Sequence, residues 1–146
     1  MKFQGTVDIG APRDRVWAFL MDPNDVGPCG PGVESIEVVD ETHFKAKAKV
    51  GIGFISARFN ADMEFAELEE PNRALIKAHG QAPGSAVDAT AEMRLSDGPD
   101  GTTVMDWNAD VNIAGTLASV GARLIEGTAN KMIGQTFDCI KAKLEA

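Results

Sequence analysis

Tyrosine is absent from this 146-residue chain, and histidine and cysteine occur only twice each. The missing phenol removes a common acid/base group of small enzymes. His43 and His79 both alternate with apolar neighbours, the ordinary setting of a solvent-facing strand residue. Cys29 and Cys139 lie far apart and in no C-x-x-C or Cys/His spacing, so neither a disulfide framework nor a zinc site is read from them, and a reducing cytoplasm is the default. Cys29 has no basic neighbour in sequence to activate it and reads as a small packing residue rather than a nucleophile. No apolar run reaches the ~18 residues of a membrane span, and Met1-Lys2-Phe3-Gln4 opens no apolar leader. Basic residues are few, 14 against 22 acidic, for a formal charge of −8. Such a charge repels phosphate backbones at long range, so nucleic acid is not an expected partner.

What is present is periodicity in an informative order. Phe3, Gly5, Val7 and Ile9 alternate with polar residues as a half-buried strand does. Ala11-Pro12 then opens a helix carrying Val16, Trp17, Phe19 and Leu20, and Asp22-Pro23 stops it. Beyond a Gly/Pro-rich segment from Gly27 to Gly32, strands are predicted at about 33–40, 43–50, 54–66, 73–80, 85–96 and 102–113, separated by turn residues. Six consecutive strands with short connections imply an antiparallel meander. The stretch from about Thr116 to Leu144 reads as one long helix, with Leu117, Val120, Gly121, Leu124, Thr128 and Met132 on the face toward the sheet. Ile133, Phe137, Ile140 and Leu144 form a second stripe, suited either to packing on the helix bearing Val16 to Leu20 or to a dimer, membrane or partner-docking patch. A single domain over 1–146 is expected, large enough to bury roughly 68–70% of its unfolded surface.

Alanine recurs on the inward strand faces where a solid core would carry leucine. Ala57, Phe59, Ala61 and Met63 come from one strand, Ala89, Ala91 and Met93 from another, and Met105 and Trp107 from the last. Opposite a helix, that deficit of side-chain volume predicts a hollow, which Leu117, Val120, Leu124 and Thr128 would line from the other side. A closed, empty void of ~300 Å³ would cost on the order of 7 kcal/mol, comparable with the ~5–15 kcal/mol stability of a whole domain. The hollow is therefore expected to be open to water or filled by a ligand; the alternative is a helix that packs directly onto the alanines. Methionines adapt to irregular apolar shapes, and Trp107 offers a ring to stack on. The mouth is expected at Pro28, Cys29 and Pro31 and at the turn bearing Ile52 and Phe54, as a touch point for a membrane surface or protein partner, or with Phe54 folded back as a plug. Asp106, Asn108, Asp110 and Asn112 should point outward together, as a solvated face rather than a metal site.

Two motifs carry a family resemblance. Cys29-Gly30-Pro31-Gly32-Val33-Glu34-Ser35 precedes a glycine-rich turn and strand, Gly51-Ile52-Gly53-Phe54-Ile55-Ser56-Ala57-Arg58-Phe59. In this order and spacing the chain resembles the CoxG family of carbon monoxide dehydrogenase gene clusters from Met1 to about Leu144. The resemblance implies an α+β helix-grip fold of the START or Bet v 1-like type: an antiparallel six- to seven-stranded sheet wrapped around a long C-terminal helix, with short helices after strand one. It further implies a noncatalytic accessory protein, without cofactor, that binds a lipid, isoprenoid or quinone-like molecule beside a molybdenum-containing dehydrogenase. Relatives often continue into a membrane-anchoring tail, whereas this chain ends at Ala146, so a cytoplasmic shuttle, monomeric or homodimeric, in transient contact with the inner membrane face is the expectation. A surface-acting assembly adaptor or co-chaperone and a polyketide-cyclase-like enzyme are the alternatives.

Overall fold

The computed structural model describes residues 1–146. The alternating N-terminal segment forms β1 (Lys2–Ile9), and Pro12 opens helix α1 (Arg13–Met21). Asp22 accepts a hydrogen bond from the Asn24 N–H at 2.9 Å and so caps the short helix α2 (Pro23–Val26), which runs into a 3₁₀ turn at Gly27–Cys29. Six strands follow: β2 (Val33–Val38), β3 (His43–Ile52), β4 (Ile55–Glu69), β5 (Arg73–Ala82), β6 (Ser85–Asp97) and β7 (Thr103–Gly115). They form one antiparallel sheet in the order β1-β7-β6-β5-β4-β3-β2. Two hairpins close with two-residue turns whose glycines take positive φ, Gly53 at +61° and Gly84 at +76°. Gly53 occupies the first central position and Gly84 follows Pro83, as turns of types II′ and II require.

The long helix starts later than its sequence pattern predicts. Thr116–Val120 forms a 3₁₀ turn, Gly121 breaks the chain at φ +98°, and α3 runs from Ala122 to Leu144. This break resets the phase of the apolar face. Ile125, Ile140 and Leu144 are buried, whereas Leu124, expected to face the sheet, is turned outward and 43% exposed. The stripe read as secondary is thus part of the principal packing face.

Two apolar clusters flank α3: one contains its C-terminal residues, and the other holds the 3₁₀ turn that leads into it. The larger joins Ile140 and Leu144 to Val16, Trp17 and Leu20 of α1 and to Ile9, Met93, Leu95 and Met105 of the sheet. Thr103, fully buried in the same region, donates from its hydroxyl to the Ala11 carbonyl at 2.7 Å. The smaller consists of Ile52, Phe59 and Leu117, with Val50, Ile55, Val87, Ile113 and Val120 packed around it.

The two cysteines are not unpaired packing residues. Cys29 and Cys139 form a disulfide across a sequence separation of 110, with Cα atoms 5.4 Å apart, fastening the 3₁₀ turn after α2 to α3. Sequence spacing missed it because the two residues meet only after the whole sheet has formed between them. With it goes the ground on which a reducing compartment was expected. In a chain-entropy account, closing a loop near this size stabilises by about 4–5 kcal/mol. Reduction, or Cys139→Ser, is therefore expected to lower the melting temperature by roughly 10–15 °C. Equal melting curves with and without reductant would show that the bond contributes nothing to stability.

The β2–β3 loop is organised by one carboxylate. Asp40 accepts from the backbone N–H groups of Thr42 and His43, at 2.9 and 2.8 Å, and from His43 Nδ1 at 2.9 Å. The Thr42 N–H, followed by the imidazole, lowers its pKa to about 2, while Asp40 raises that of His43 above its ordinary value. By linkage, the His43 contribution is complete below its ordinary pKa of 6.5 and is lost as pH rises through the raised folded value. The Asp40 contribution is present above its ordinary 3.8 and lost as pH falls toward about 2. An NMR titration should find His43 above 6.5, and Asp40→Asn should return it to the ordinary value; a His43 pKa indifferent to this substitution would contradict the pairing.

Candidate ligand-binding site

The strand register assembles the alanines into a floor. Across the inward face, Ala46 lies opposite Ala61, and Ala61 opposite Gly80. The next row runs from Met63 through Ala78 and Ala89 to Val111, and the one beyond from Ile76 through Ala91 to Ala109. Small residues therefore adjoin one another over five strands, between the two apolar clusters.

Helix α3 does not descend onto this floor. Its backbone comes close to β1, β3 and the 3₁₀ turns near its ends, with no comparable approach to β4, β5, β6 or β7. Since β1 and β3 lie on opposite sides of the strand order, the helix bridges a curled sheet and stands off from its middle. Ala61, Met63, Ala89, Ala91 and Ala109 are accordingly only half-buried although they face the helix. The whole molecule carries the same signature. Its accessible surface of 8185 Å² exceeds the roughly 7,200 Å² expected for a compact monomer of this mass. An apolar hollow with such half-buried walls escapes the cost of an empty cavity when water or a guest enters it.

The expected lining residues separate into distinct roles. Ala61, Met63, Ala89, Ala91 and Thr128 are half-buried in or beside the hollow, whereas Ala57 packs against the smaller cluster. Met93 and Met105, at 8% and 2% exposure, belong to the larger cluster, and Phe59 and Leu117 to the smaller, so these four wall off the ends rather than line the space. Val120 packs against the smaller cluster. Leu124 is removed from the lining by its outward turn. Trp107 is half-buried at one end, its ring 5.4 Å from that of Phe137, and it lies across β1 where Gly5 offers no side chain. A Cβ at Gly5 would come within 3.0–3.1 Å of the indole.

The mouth residues divide in the same way. Ile52 is a buried plug at 5% exposure, and Cys29 is buried in the disulfide, so neither is a surface contact. Phe54 is not folded back: it is 98% exposed at the tip of the β3–β4 hairpin. Pro28 is exposed, while Pro31 helps line a groove of about 360 Å³ between that hairpin and α3, with Lys49, Val50, Gly51, Thr128 and Met132. Gly32 seals the near side of the groove, accepting at its carbonyl from the Lys49 N–H at 2.9 Å. At φ +79° and against the Lys49 carbonyl, this position tolerates only glycine.

A second, larger depression of about 630 Å³ crosses the outer sheet face, where Asp110, Asn108 and Asn112 point outward as their alternation predicts. Two of its charged groups, Asp88 and Glu92, are engaged by cross-strand partners. His79 Nδ1 contacts Asp88, and Arg73 donates from Nε to Glu92 at 2.7 Å and from Nη1 to Glu67 and Glu69 at 3.0 and 2.8 Å. Arg73, with help from Arg94, holds the Glu92 carboxyl below its ordinary pKa. These cross-strand pairs satisfy the solvated face, and that polarity makes the inner hollow the candidate for an apolar ligand.

The sequence profile of CoxG, a family named for a carbon monoxide dehydrogenase subunit, matches residues 5–145. The chain belongs to this family. Its fold is START-like, as three solved structures illustrate. A conserved protein from Geobacillus kaustophilus superposes with a TM-score of 0.92 at 23% identity, covering 99% of this chain and 95% of that one. The Zhui aromatase/cyclase from Streptomyces sp. R1128 gives 0.74 at 15% identity, over 99% and 93% of the two chains. A START superfamily protein from Mycobacterium smegmatis gives 0.72 at 11%, over 99% and 97%. At these identities the likeness is one of fold. No curated protein sequence matches the chain.

The Gly5 contact provides a test of the hollow's end wall. Gly5→Val should push Trp107 off its seat against Phe137 and cost about 1–3 kcal/mol through overpacking. The denaturation midpoint and near-ultraviolet circular dichroism report both effects, and unchanged aromatic dichroism would mean that the indole is not held there.

Proposed function

We propose that this CoxG-family protein is a noncatalytic carrier whose hollow takes up an apolar small molecule of the lipid, isoprenoid or quinone-like class. In this reading it serves a molybdenum-containing dehydrogenase of the carbon monoxide dehydrogenase type, a link drawn from the family's description. The observation that carries the proposal is the alanine floor, left half-buried beneath a helix that stands off from it. Water meets apolar surface there without hydrogen-bonding partners, and an apolar guest would release that water, the usual driving force for filling such a site.

The noncatalytic reading is supported by the side chains that face the hollow. The inward rows from Ala46 to Val111 present alanine, glycine, valine, methionine and isoleucine, none able to move a proton at neutral pH. Thr128 on α3 supplies a hydroxyl, suited to orienting a guest rather than transforming it.

Ala89→Leu combined with Ala91→Leu should fill the floor and weaken binding of a short-tailed isoprenoid quinone at least tenfold, read by quenching of tryptophan emission, with folding retained. Native protein purified without detergent should also yield a stoichiometric apolar molecule on organic extraction and mass spectrometry. Undiminished quinone binding by the double variant, or folded native protein reproducibly free of any apolar molecule, would overturn the carrier reading.

A further inference from the structure

The sheet has two free edges, β1 and β2, and they are not alike. Exposed Lys2 and Asp8 stand near the two ends of β1, and no exposed large apolar side chain lies on it, the usual defence of an edge against stray strands. β2 is defended only at its start, by the irregularity between Val33 and Ser35. Beyond that the chain runs Ile36-Glu37-Val38-Val39 with neither lysine nor proline, and Val38 and Val39 are 47% and 55% exposed.

The backbone of this edge is unpaired in a defined pattern. The Val39 N–H donates to the His43 carbonyl at 3.0 Å, and the register continues with Glu37 opposite Lys45 and Ser35 opposite Lys47. Alternate residues of an antiparallel strand bond to the same neighbour, so Ser35, Glu37 and Val39 face β3, while the N–H and C=O groups of Ile36 and Val38 point away from the sheet. No turn or loop hydrogen bond satisfies them. The charge around them is of one sign. Neither lysine, arginine nor histidine occurs from Gly30 to Thr42, a stretch that holds Glu34, Glu37, Asp40 and Glu41. Arg58 engages Glu34 and His43 engages Asp40, whereas Glu37 and Glu41 form no ion pair.

We propose that β2 is a docking edge for an extended cationic segment of another protein, which adds to the seven-stranded sheet as a further strand. Ile36 and Val38 lie opposite Ala46 and Phe44 and so share the inward face, whereas Glu37 lies opposite Lys45 on the outward one. The segment that fits therefore alternates, with apolar side chains beside Ile36 and Val38 and lysine or arginine beside Glu37. Charge selects this occupant. A second copy of the chain pairing through β2 would bring Glu34 and Glu37 against acidic residues of the same kind, and a net charge of −8 opposes the approach of two copies. The docking edge requires no guest in the hollow and goes beyond the carrier reading.

A synthetic peptide alternating lysine and valine over about seven residues, near the length of an ordinary strand, should bind the protein saturably at about 0.1 M salt, read by fluorescence anisotropy. Binding should slow amide hydrogen exchange at Ile36 and Val38 about tenfold or more, an effect that attraction by charge alone would not produce. N-methylation of the peptide's valines, whose N–H groups would meet β2, should weaken binding at least tenfold, since main-chain bonds are lost while charge is kept. Glu37→Lys should weaken it roughly fivefold at an unchanged melting temperature. Val38→Pro, which deletes an outward N–H and no ladder bond, should weaken it by a similar factor. No saturable binding, equal binding by the N-methylated peptide or by one with glutamate in place of lysine, or exchange at Ile36 and Val38 indifferent to the peptide would overturn the inference.

Discussion

The structure depends on a separation maintained between one helix and the sheet that curls beneath it. The C-terminal end of helix α3 is held by the larger cluster through Ile140 and Leu144, and the 3₁₀ turn leading into it by the smaller through Leu117, while the sheet rows between carry small side chains. A helix is stiff over this length, so fixing its ends fixes its height over the centre. Leucines in place of the floor alanines would let the interior close as a conventional core. The clusters thus act as spacers, and the hollow is what remains between them.

The disulfide makes the spacing robust at the end where it matters for α1 and α2. Those short helices cover the larger cluster, and the Cys29–Cys139 bond holds the turn that follows them to α3. From the same turn the chain passes through Gly32, which is hydrogen-bonded to β3 beside the groove. Helix, turn and hairpin rim are therefore mechanically continuous. A guest entering through the groove would meet a boundary made from three separate parts of the sequence.

Much of this was legible from local pattern. Period-two alternation located all seven strands, and the turn residues set β2 to β7 into a meander, because each hairpin brings its two strands together within a few residues; the place of β1 beside β7 was not readable from local pattern. The alanines of the floor could be read from the same alternation. Three features could not. The helix face was misphased because Gly121 adopts a left-handed conformation that resets the rotation, sending Leu124 out and Ile125 in. The disulfide joins residues 110 apart and leaves no local trace. Met93, Met105, Phe59 and Leu117 have the same apolar character as the lining; only their position along the strands and helix, near the clusters rather than between them, decides that they pack instead.

The place of β1 at the far edge of the sheet has a consequence for how the chain reaches this state. Its partner is β7, with Gly5 opposite Trp107 and Val7 opposite Met105, so the first strand made pairs with the last. During synthesis the meander from β2 to β7 can zip progressively as each hairpin emerges, but β1 must wait for nearly the entire sheet. Such long-range closure is entropically slow and comes late in folding. Until it occurs, the exposed edge of β7 is available to any other extended chain. Completion of the sheet thus also removes a pairing hazard that exists only while the protein is being made.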